Sequence, residues 1–184
     1  DIHAGGIDLV FPHHDNEIAQ SEAKTGEKPF VAYWVHGAHM LVNGQKMSKS
    51  LGNYFLPKEI VEGTTTLFTK PFSPDVIRFC MMQAHYRSNL DLSEDSLNAA
   101  EKGFARLSDA LALMEKVNTG AISSFDVQAV VDSFYSAMDD DFNAPILMAN
   151  LFEAARYVNL INDGKETITA SDLTLLRNEI HDFV

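Results

Sequence analysis

The second half of the chain has the apolar spacing of amphipathic helices. From Ser93, apolar residues recur at alternating steps of three and four, as on one face of a helix, at Leu97, Ala100, Phe104, Leu107, Leu111 and Met114. Similar faces follow over 127–138, 147–158 and 173–183, the last with Ser171 as its expected cap. Four such helices joined by short polar links predict an antiparallel bundle over 93–184.

The first half mixes extended and helical patterns. The apolar run Ile7–Phe11 predicts a strand that Pro12 ends, and Asp15 opens a helix with acidic residues in its first turn. Val31–Val42 is predicted to be extended, and Asn43-Gly44 after it is a strong turn signal. The whole chain is therefore predicted to be α/β over 1–92 and all-α after it.

Two further helix starts lie between these regions. Pro57 is expected to begin a short helix. Ser73 and Pro74 fit the cap and first position of another, running to about His85. Cys80 falls in the apolar part of that second helix, so we expect it to be a core residue.

Composition narrows the class of protein. Apolar residues make up 46% of 184, which fits a globular protein. The formal charge of −12, from 14 basic and 26 acidic residues, argues against general nucleic-acid binding. A local basic patch could still contact RNA, with candidates Lys46, Lys49, Lys58, Arg78 and Arg87. One cysteine excludes a disulfide framework and fits the cytoplasm, and no apolar run is long enough to cross a membrane.

The segment Lys46-Met47-Ser48-Lys49-Ser50 is the first candidate for chemistry. It follows the Asn43-Gly44 turn, so it is predicted to be a loop beside a strand. Its two lysines present compact ammonium charges that suit a polyphosphate whose charge shifts during reaction. The alternative interpretation is an ordinary solvated loop.

The second candidate lies around the first predicted helix. Gly5-Gly6 would allow a ligand to approach the backbone closely, at the strand end where α/β folds bind ligands. His13 and Glu17 are four residues apart and share a helix face, where they could supply two of the three or more ligands that zinc needs. A surface histidine beside a solvated glutamate is the alternative. The acidic run 139–141 fits a helix end with a capping Asp better than a metal site.

Together these segments resemble cysteinyl-tRNA synthetases, a family of class I aminoacyl-tRNA synthetases. The resemblance rests on Asp1-Ile2-His3-x-Gly5-Gly6-x-Asp8-Leu9-x-Phe11-Pro12-His13-His14-x-Asn16-Glu17. It rests also on Lys46-Met47-Ser48-Lys49-Ser50, called the lysine loop below. Further matches are His85-Tyr86-Arg87-Ser88 and Met138-Asp139-Asp140-Asp141-Phe142-Asn143. It covers the chain to about Leu160. Against the commoner pattern of this family, Thr64–Phe72 is a short insertion, expected to be a surface excursion.

The resemblance implies the C-terminal part of a Rossmann-like catalytic domain, followed by a helical bundle of the tRNA-binding type. The implied reaction is the ATP-dependent ligation of cysteine to its tRNA through a cysteinyl-adenylate, with ATP and magnesium as substrate. Lys49 would neutralise charge on the phosphates with help from Lys46. Gly5, Gly6 and Asp8 would line the ATP pocket, and His3 and Asp8 would contact the amino-acid substrate.

The resemblance also implies zinc. His13 and Glu17 would form half of the site, and two cysteines absent from this sequence would complete it. Such a metal would bind the substrate as a thiolate and reject serine, whose hydroxyl ionises far less readily. For His3, a place beside the thiolate and a hydrogen bond within a turn are equally consistent with the sequence.

The chain departs from the family in lacking the His-Ile-Gly-His signature that holds ATP. It also begins inside a motif and without methionine. We therefore expect it to be part of a longer enzyme and inactive by itself. Two other functions remain open: a ligase that joins cysteine to a small amino-sugar acceptor, and a tRNA-binding module without catalysis. The lysine loop and the bundle favour the synthetase.

Overall fold

The computed structural model describes residues 1–183, which form two compact units. The first unit contains Asp1–Pro71 and Ala84–Glu94. The second contains Phe72–Gln83 and the chain from Asp95 onward. The boundary expected between residues 92 and 93 stays a prediction, because compactness alone does not delimit a domain.

In the first unit, a parallel strand pair carries the N-terminal motif. Strand β1 (Ile2–Gly6) pairs with β2 (Tyr33–Gly37), and helix α1 (Asp15–Thr25) lies between them in the chain. Parallel strands need a crossover connection, which α1 supplies. The helix predicted to open at Asp15 is confirmed, and it ends at Gly26, whose φ of 72° suits glycine.

The strand predicted at Ile7–Phe11 is wrong. Ile7–Leu9 form a 3₁₀ turn and Val10–His14 an irregular helical turn, in which only Phe11 has extended angles (φ −129°, ψ 134°). Three apolar side chains of this run, Ile7, Val10 and Phe11, are exposed, with Phe11 75% accessible. The strand of this region is β1, which ends at Gly6, just before this run. Its position is decided by pairing with β2 and not by local apolar content.

A second sheet in this unit supports the lysine loop. Its strands are β3 (Met40–Val42), β4 (Gln45–Lys46) and β5 (Leu90–Leu92), in the order β4-β3-β5. The predicted turn is confirmed: β3 and β4 form an antiparallel hairpin around Asn43 (φ 51°) and Gly44 (φ 75°). The sequence did not indicate β5, which pairs in parallel with β3.

The segment Thr64–Phe72, after α2 (Pro57–Glu62), is a surface excursion only in part, because Phe68 and Phe72 are buried while most of its other residues are exposed or half-buried. Phe68 is 6% exposed and packs edge-on against Phe55, with ring centres 5.7 Å apart. The Thr69 N–H donates to Glu94 Oε2 at 3.0 Å, and the Thr69 hydroxyl donates to the same carboxylate. An aromatic residue at the centre of the segment therefore fixes it to its unit.

The second unit consists of helices. They are α3 (Pro74–Met82), α4 (Glu94–Met114), α5 (Val127–Asp139), α6 (Ala144–Asn162) and α7 (Ala170–Phe183). Helix α5 packs against α6 and α7, and α3 packs against α6. The predicted helical faces form the core, which includes the fully buried Leu97, Phe134, Leu151 and Leu176. Within residues 1–183, no helix is both long and apolar enough to cross a membrane.

Several helix ends differ from the expectation. The predicted cap of α3 is confirmed, since Ser73 Oγ accepts from the Val76 N–H at 3.3 Å, but the helix ends three residues before His85. Ser171 does not cap α7, because Thr169 Oγ1 accepts from the Asp172 N–H at 3.2 Å. Near 139–141, Asn143 rather than an Asp caps the next helix, with Oδ1 accepting from the Ile146 N–H at 3.4 Å.

Cys80 is 2% exposed, as expected for a core residue, and burial raises the pKa of its thiol. Because the thiolate is the reactive form, we expect iodoacetamide at neutral pH to leave the folded chain unmodified and to alkylate it fully in denaturant. Mass spectrometry reports this directly, since the chain has one cysteine. The Cys80→Ser chain is the control and should show no adduct. Rapid alkylation of the folded chain would contradict the buried position.

Candidate functional site

An aromatic and imidazole cluster forms where β1, β2 and the start of α1 meet. The parallel register places His3 beside Trp34, with ring centres 4.9 Å apart. His14, which is 3% exposed, lies with its ring centre 4.9 Å from both of these rings. His36, two residues along β2 from Trp34, completes the cluster 5.0 Å from His14.

The Glu17 carboxylate receives imidazoles from two sides. His3 Nε2 lies 3.0 Å from Oε2, and His13 Nε2 lies 3.5 Å from Oε1. Glu17 Oε2 is nevertheless buried without a hydrogen-bond partner, because the close His3 approach is not aligned as a hydrogen bond. A buried carboxylate oxygen in this condition costs free energy, and a bound cation would satisfy it.

The ligand atoms of His3, His14 and Glu17 all lie within 4.8 Å of one another. The sequence predicted a different pair, His13 and Glu17. His13 also approaches the carboxylate, but its side chain is 60% exposed. Glu17 thus belongs to both candidate ligand sets, the pair with His13 and the group with His3 and His14. The choice of His13 as a ligand stays a prediction.

A second contact holds His14 in place. Its Nδ1 lies 2.8 Å from His36 Nε2, within hydrogen-bond distance, so one of these rings donates to the other. Burial, and next the nearby His3, lower the pKa of His14 and favour the neutral imidazole. Trp34 and His36 were missed in the sequence. Their spacing of two along a strand, which puts both on one face, is the signal that could have found them.

Gly5 and Gly6 have a steric explanation in this cluster. A Cβ added to Gly5 would lie 2.8 Å from His14 Cε1 and 2.9 Å from Leu9 Cδ1. A Cβ added to Gly6 would clash with Asp8 Oδ1. The glycines therefore let the His14 ring and the Asp8 carboxylate approach the strand. Their proposed role toward ATP remains a prediction.

We expect Gly5→Ala to displace the His14 ring and to lower the free energy of unfolding by about 1–3 kcal/mol, as overpacking does. The measurement is urea denaturation of the 184-residue chain. Ala4→Ser, at the neighbouring exposed strand position, is the control and should leave the midpoint unchanged. An unchanged midpoint for Gly5→Ala would show that the cluster yields without cost.

The lysine loop starts at the end of β4. Lys46 pairs with Leu41 across the hairpin, and Lys49 is exposed with its Nζ 5.3 Å from the centre of the Tyr54 ring. That distance is within cation–π range. Asn53, which is 9% exposed, lies beneath the loop. The two lysines are thus presented to solvent from a buried base.

The structure does not join all of the predicted site residues. In the part of the chain that is described, no hydrogen bond, ion pair or ring contact connects Lys46 or Lys49 to Gly5, Gly6 or Asp8. The ATP site predicted from these residues therefore remains a prediction. Of the other basic candidates, Lys58 pairs with Glu62 at 3.6 Å, and the Arg87 guanidinium lies 5.0 Å from the centre of the Tyr86 ring.

The second unit also holds clefts, two of which are bordered by arginines. Arg78 borders a small cavity of about 120 Å³ with Phe79 and Phe104. A larger cleft of about 560 Å³ lies between α4 and α6 and is bordered by Arg106 and Arg156. The acidic run 139–141 belongs to no group of potential metal ligands within residues 1–183.

Known proteins share this sequence and fold. Residues 1–102 match the family of tRNA synthetases class I (C) catalytic domain, and residues 133–180 match the DALR domain. The whole chain is 46% identical to cysteine–tRNA ligase of Bacteroides fragilis over 183 residues, and 46% identical to that of Porphyromonas gingivalis over 184. It spans 37% of the length of each of these relatives.

A solved structure agrees at the level of fold. The LeuRS of Agrobacterium radiobacter K84, in a ternary complex with tRNA and LeuAMS, superposes with a TM-score of 0.63. The match covers 98% of this chain and 24% of that one, at 16% identity. The predicted order of an α/β region followed by helices, and the resemblance seen in the sequence, are both confirmed. The chain therefore belongs to the class I tRNA synthetases of the (C) catalytic-domain family.

Proposed function

We propose that this chain supplies the lysine loop, part of the amino-acid site and the following helical domain of a cysteine–tRNA ligase. The observation that carries the proposal is the buried Glu17 oxygen, which has imidazoles on its carboxylate but no hydrogen-bond partner. The relatives that are 46% identical across the chain carry the same name, which supports the substrate assignment. The lone cysteine fits the cytoplasm, where such an enzyme would work.

The proposed reaction has two steps. A carboxylate oxygen of cysteine attacks the α-phosphorus of magnesium-bound ATP, and pyrophosphate leaves with the bonding electrons. A terminal hydroxyl of the tRNA then attacks the acyl carbon, and AMP leaves. The lysines have one task in the first step: Lys49, with Lys46 assisting, balances negative charge that grows on the departing phosphates.

The imidazole and carboxylate set fits zinc, which prefers nitrogen ligands and accepts carboxylate oxygen. In this proposal His13 and Glu17 hold the metal together with two cysteines from outside this sequence. Bound zinc would favour the thiolate form of the substrate cysteine, a form that serine does not offer at neutral pH. This selection would need no separate editing step.

Two further histidines of the cluster, His3 and His14, position the groups around Glu17. His3 Nε2 lies 3.0 Å from Glu17 Oε2, close enough to limit the movement of the carboxylate on that side. His14 is buried, with its ring centre 4.9 Å from those of His3 and Trp34, so it holds these two side chains in place. Its neutral ring adds no positive charge beside a site intended for a cation.

The test compares amino acids and acceptors in the longer ligase that carries this chain. ATP–pyrophosphate exchange should depend on cysteine and should stay at background with serine. The second step should then charge tRNA, while an amino-sugar acceptor should give no product. Exchange with another amino acid, or transfer to the amino sugar in place of tRNA, would overturn the proposal.

A further inference from the structure

Asn53 is the one buried polar side chain of the segment that contains the lysine loop, residues 46–56. We propose that Asn53 is the positioning residue that holds the lysine loop in its working shape. This inference rests on the proposed function for its catalytic consequence, but its structural part stands on contacts in this chain alone.

The Asn53 amide bonds the loop at two places. Its Oδ1 accepts from the Ser48 N–H at 2.8 Å, and its Nδ2 donates to the Lys46 carbonyl at 3.2 Å. One side chain thus uses both its acceptor and its donor on the two sides of Met47. Since these groups are partly buried, loss of the amide leaves backbone groups without partners, which costs more than the bond itself contributes.

The position of Asn53 is itself fixed from behind. Phe55, two residues later, is 4% exposed and packs against the buried Phe68. On the other side, Lys46 belongs to β4 and pairs with Leu41. The amide therefore ties the loop to two rigid parts of the unit, the hairpin and the aromatic pair.

Within residues 1–183, the other hydrogen bonds of residues 48–52 join atoms of the loop itself. The Ser48 and Ser50 hydroxyls lie 3.3 Å apart, and the Leu51 N–H donates to Ser48 Oγ at 3.3 Å. The Gly52 N–H donates to the Lys49 carbonyl at 3.2 Å, and Leu51 is 62% exposed. These bonds make a compact turn but do not attach it to the unit. Without Asn53 the turn could rotate as a whole.

Such a rotation would matter for catalysis because Lys49 acts by position. An error of about 1 Å in a positioning group can cost about 100-fold in rate. Substrate cysteine is bound elsewhere in the proposal, by the Glu17 cluster. Loss of Asn53 should therefore lower kcat and leave the KM for cysteine nearly unchanged, whereas general unfolding of the unit would alter both.

The test uses Asn53→Ala and Asn53→Asp, with Asn89→Ala as the matched control. Asn89 Oδ1 also accepts from a backbone N–H in the same unit, that of His39 at 3.2 Å, but outside the loop. The aspartate keeps the acceptor for Ser48, loses the donor for Lys46 and places a carboxylate oxygen against the Lys46 carbonyl, so it tests the second contact more severely than alanine does.

In the longer ligase, ATP–pyrophosphate exchange should show kcat lowered by about tenfold or more for Asn53→Ala, with the KM for cysteine within about twofold. Asn53→Asp should lower kcat at least as much as Asn53→Ala does, and Asn89→Ala should match the wild type. In the 184-residue chain, hydrogen exchange at the Ser48 amide should accelerate in Asn53→Ala. Faster exchange with unchanged kcat would overturn the positioning role, as would a larger effect on KM than on kcat.

A different result separates this inference from the proposed function. If the wild-type enzyme shows no cysteine-dependent exchange, the proposed function fails. Protection of the Ser48 amide then decides whether Asn53 holds the loop: unchanged protection in Asn53→Ala would overturn that part as well.

Discussion

Replacing Lys49 by alanine is expected to slow cysteine activation by about 100- to 1,000-fold, by analogy with the loss of one oxyanion-hole donor, while cysteine affinity stays nearly constant. The Lys49 side chain is exposed, with its ammonium 5.3 Å from the centre of the Tyr54 ring, on a loop whose base is bonded by Asn53, so it can meet a phosphate that becomes more negative. An interaction that grows in the transition state appears in rate and not in ground-state binding.

The measurement for Lys49→Ala is ATP–pyrophosphate exchange over a range of cysteine concentrations in the longer ligase. Lys58→Ala is the matched control, because Lys58 is an exposed lysine of the same unit whose partner is Glu62. It should leave kcat and KM unchanged. A Lys49→Ala rate within about twofold of the wild type would remove this lysine from the reaction.

Local sequence was enough to predict the surroundings of the lysine loop. Asn43-Gly44 determines a tight hairpin through two positive φ angles, which few residue pairs adopt easily. In the second unit, Ser73 and Pro74 likewise predicted the start of α3, where the cap and the N–H that it binds lie within a stretch of four residues. In each case the interacting atoms are close in sequence, so the residue types alone identify the structure.

The imidazole cluster could be predicted only in part, for the opposite reason. His13 and Glu17 are one helical turn apart, and their approach follows from local spacing. His3 and His36 come together through the pairing of β1 with β2, and His14 meets His36 from 22 residues away in the chain. Had the first strand lain at Ile7–Phe11, as predicted, other residues than His3 would have faced Trp34 across the pair. A shift along a strand changes which side chains face each other.

The helical half was predicted well because its periodicity reflects burial directly. Residues on the apolar faces, such as Leu97 and Leu151, are fully buried. The errors lie at helix ends, where a hydroxyl one or two residues away can take over the cap, as Thr169 does in place of Ser171. In the first unit, the burial of Phe68 was also missed, because a single aromatic residue in a polar stretch shows no periodicity.

Removing a zinc ligand is the second large effect we expect. In the longer ligase, His13→Ala and Glu17→Gln should each weaken zinc binding by more than the roughly 10- to 100-fold that loss of an outer partner costs. His14→Ala should retain the metal, because His14 is not a ligand in the proposed site of His13, Glu17 and two cysteines. Metal content after dialysis against a chelator measures all three.

The same three variants decide between the two ligand sets around Glu17. If zinc is lost with His14→Ala and kept with His13→Ala, the ligands are those whose atoms lie within 4.8 Å in this chain, His3, His14 and Glu17. If Glu17→Gln keeps its zinc, neither set is correct, and the buried Oε2 needs another partner. Glu17 is common to both sets because its two oxygens face His3 and His13 separately. Its loss should therefore have the largest effect of the three, whichever histidine completes the site.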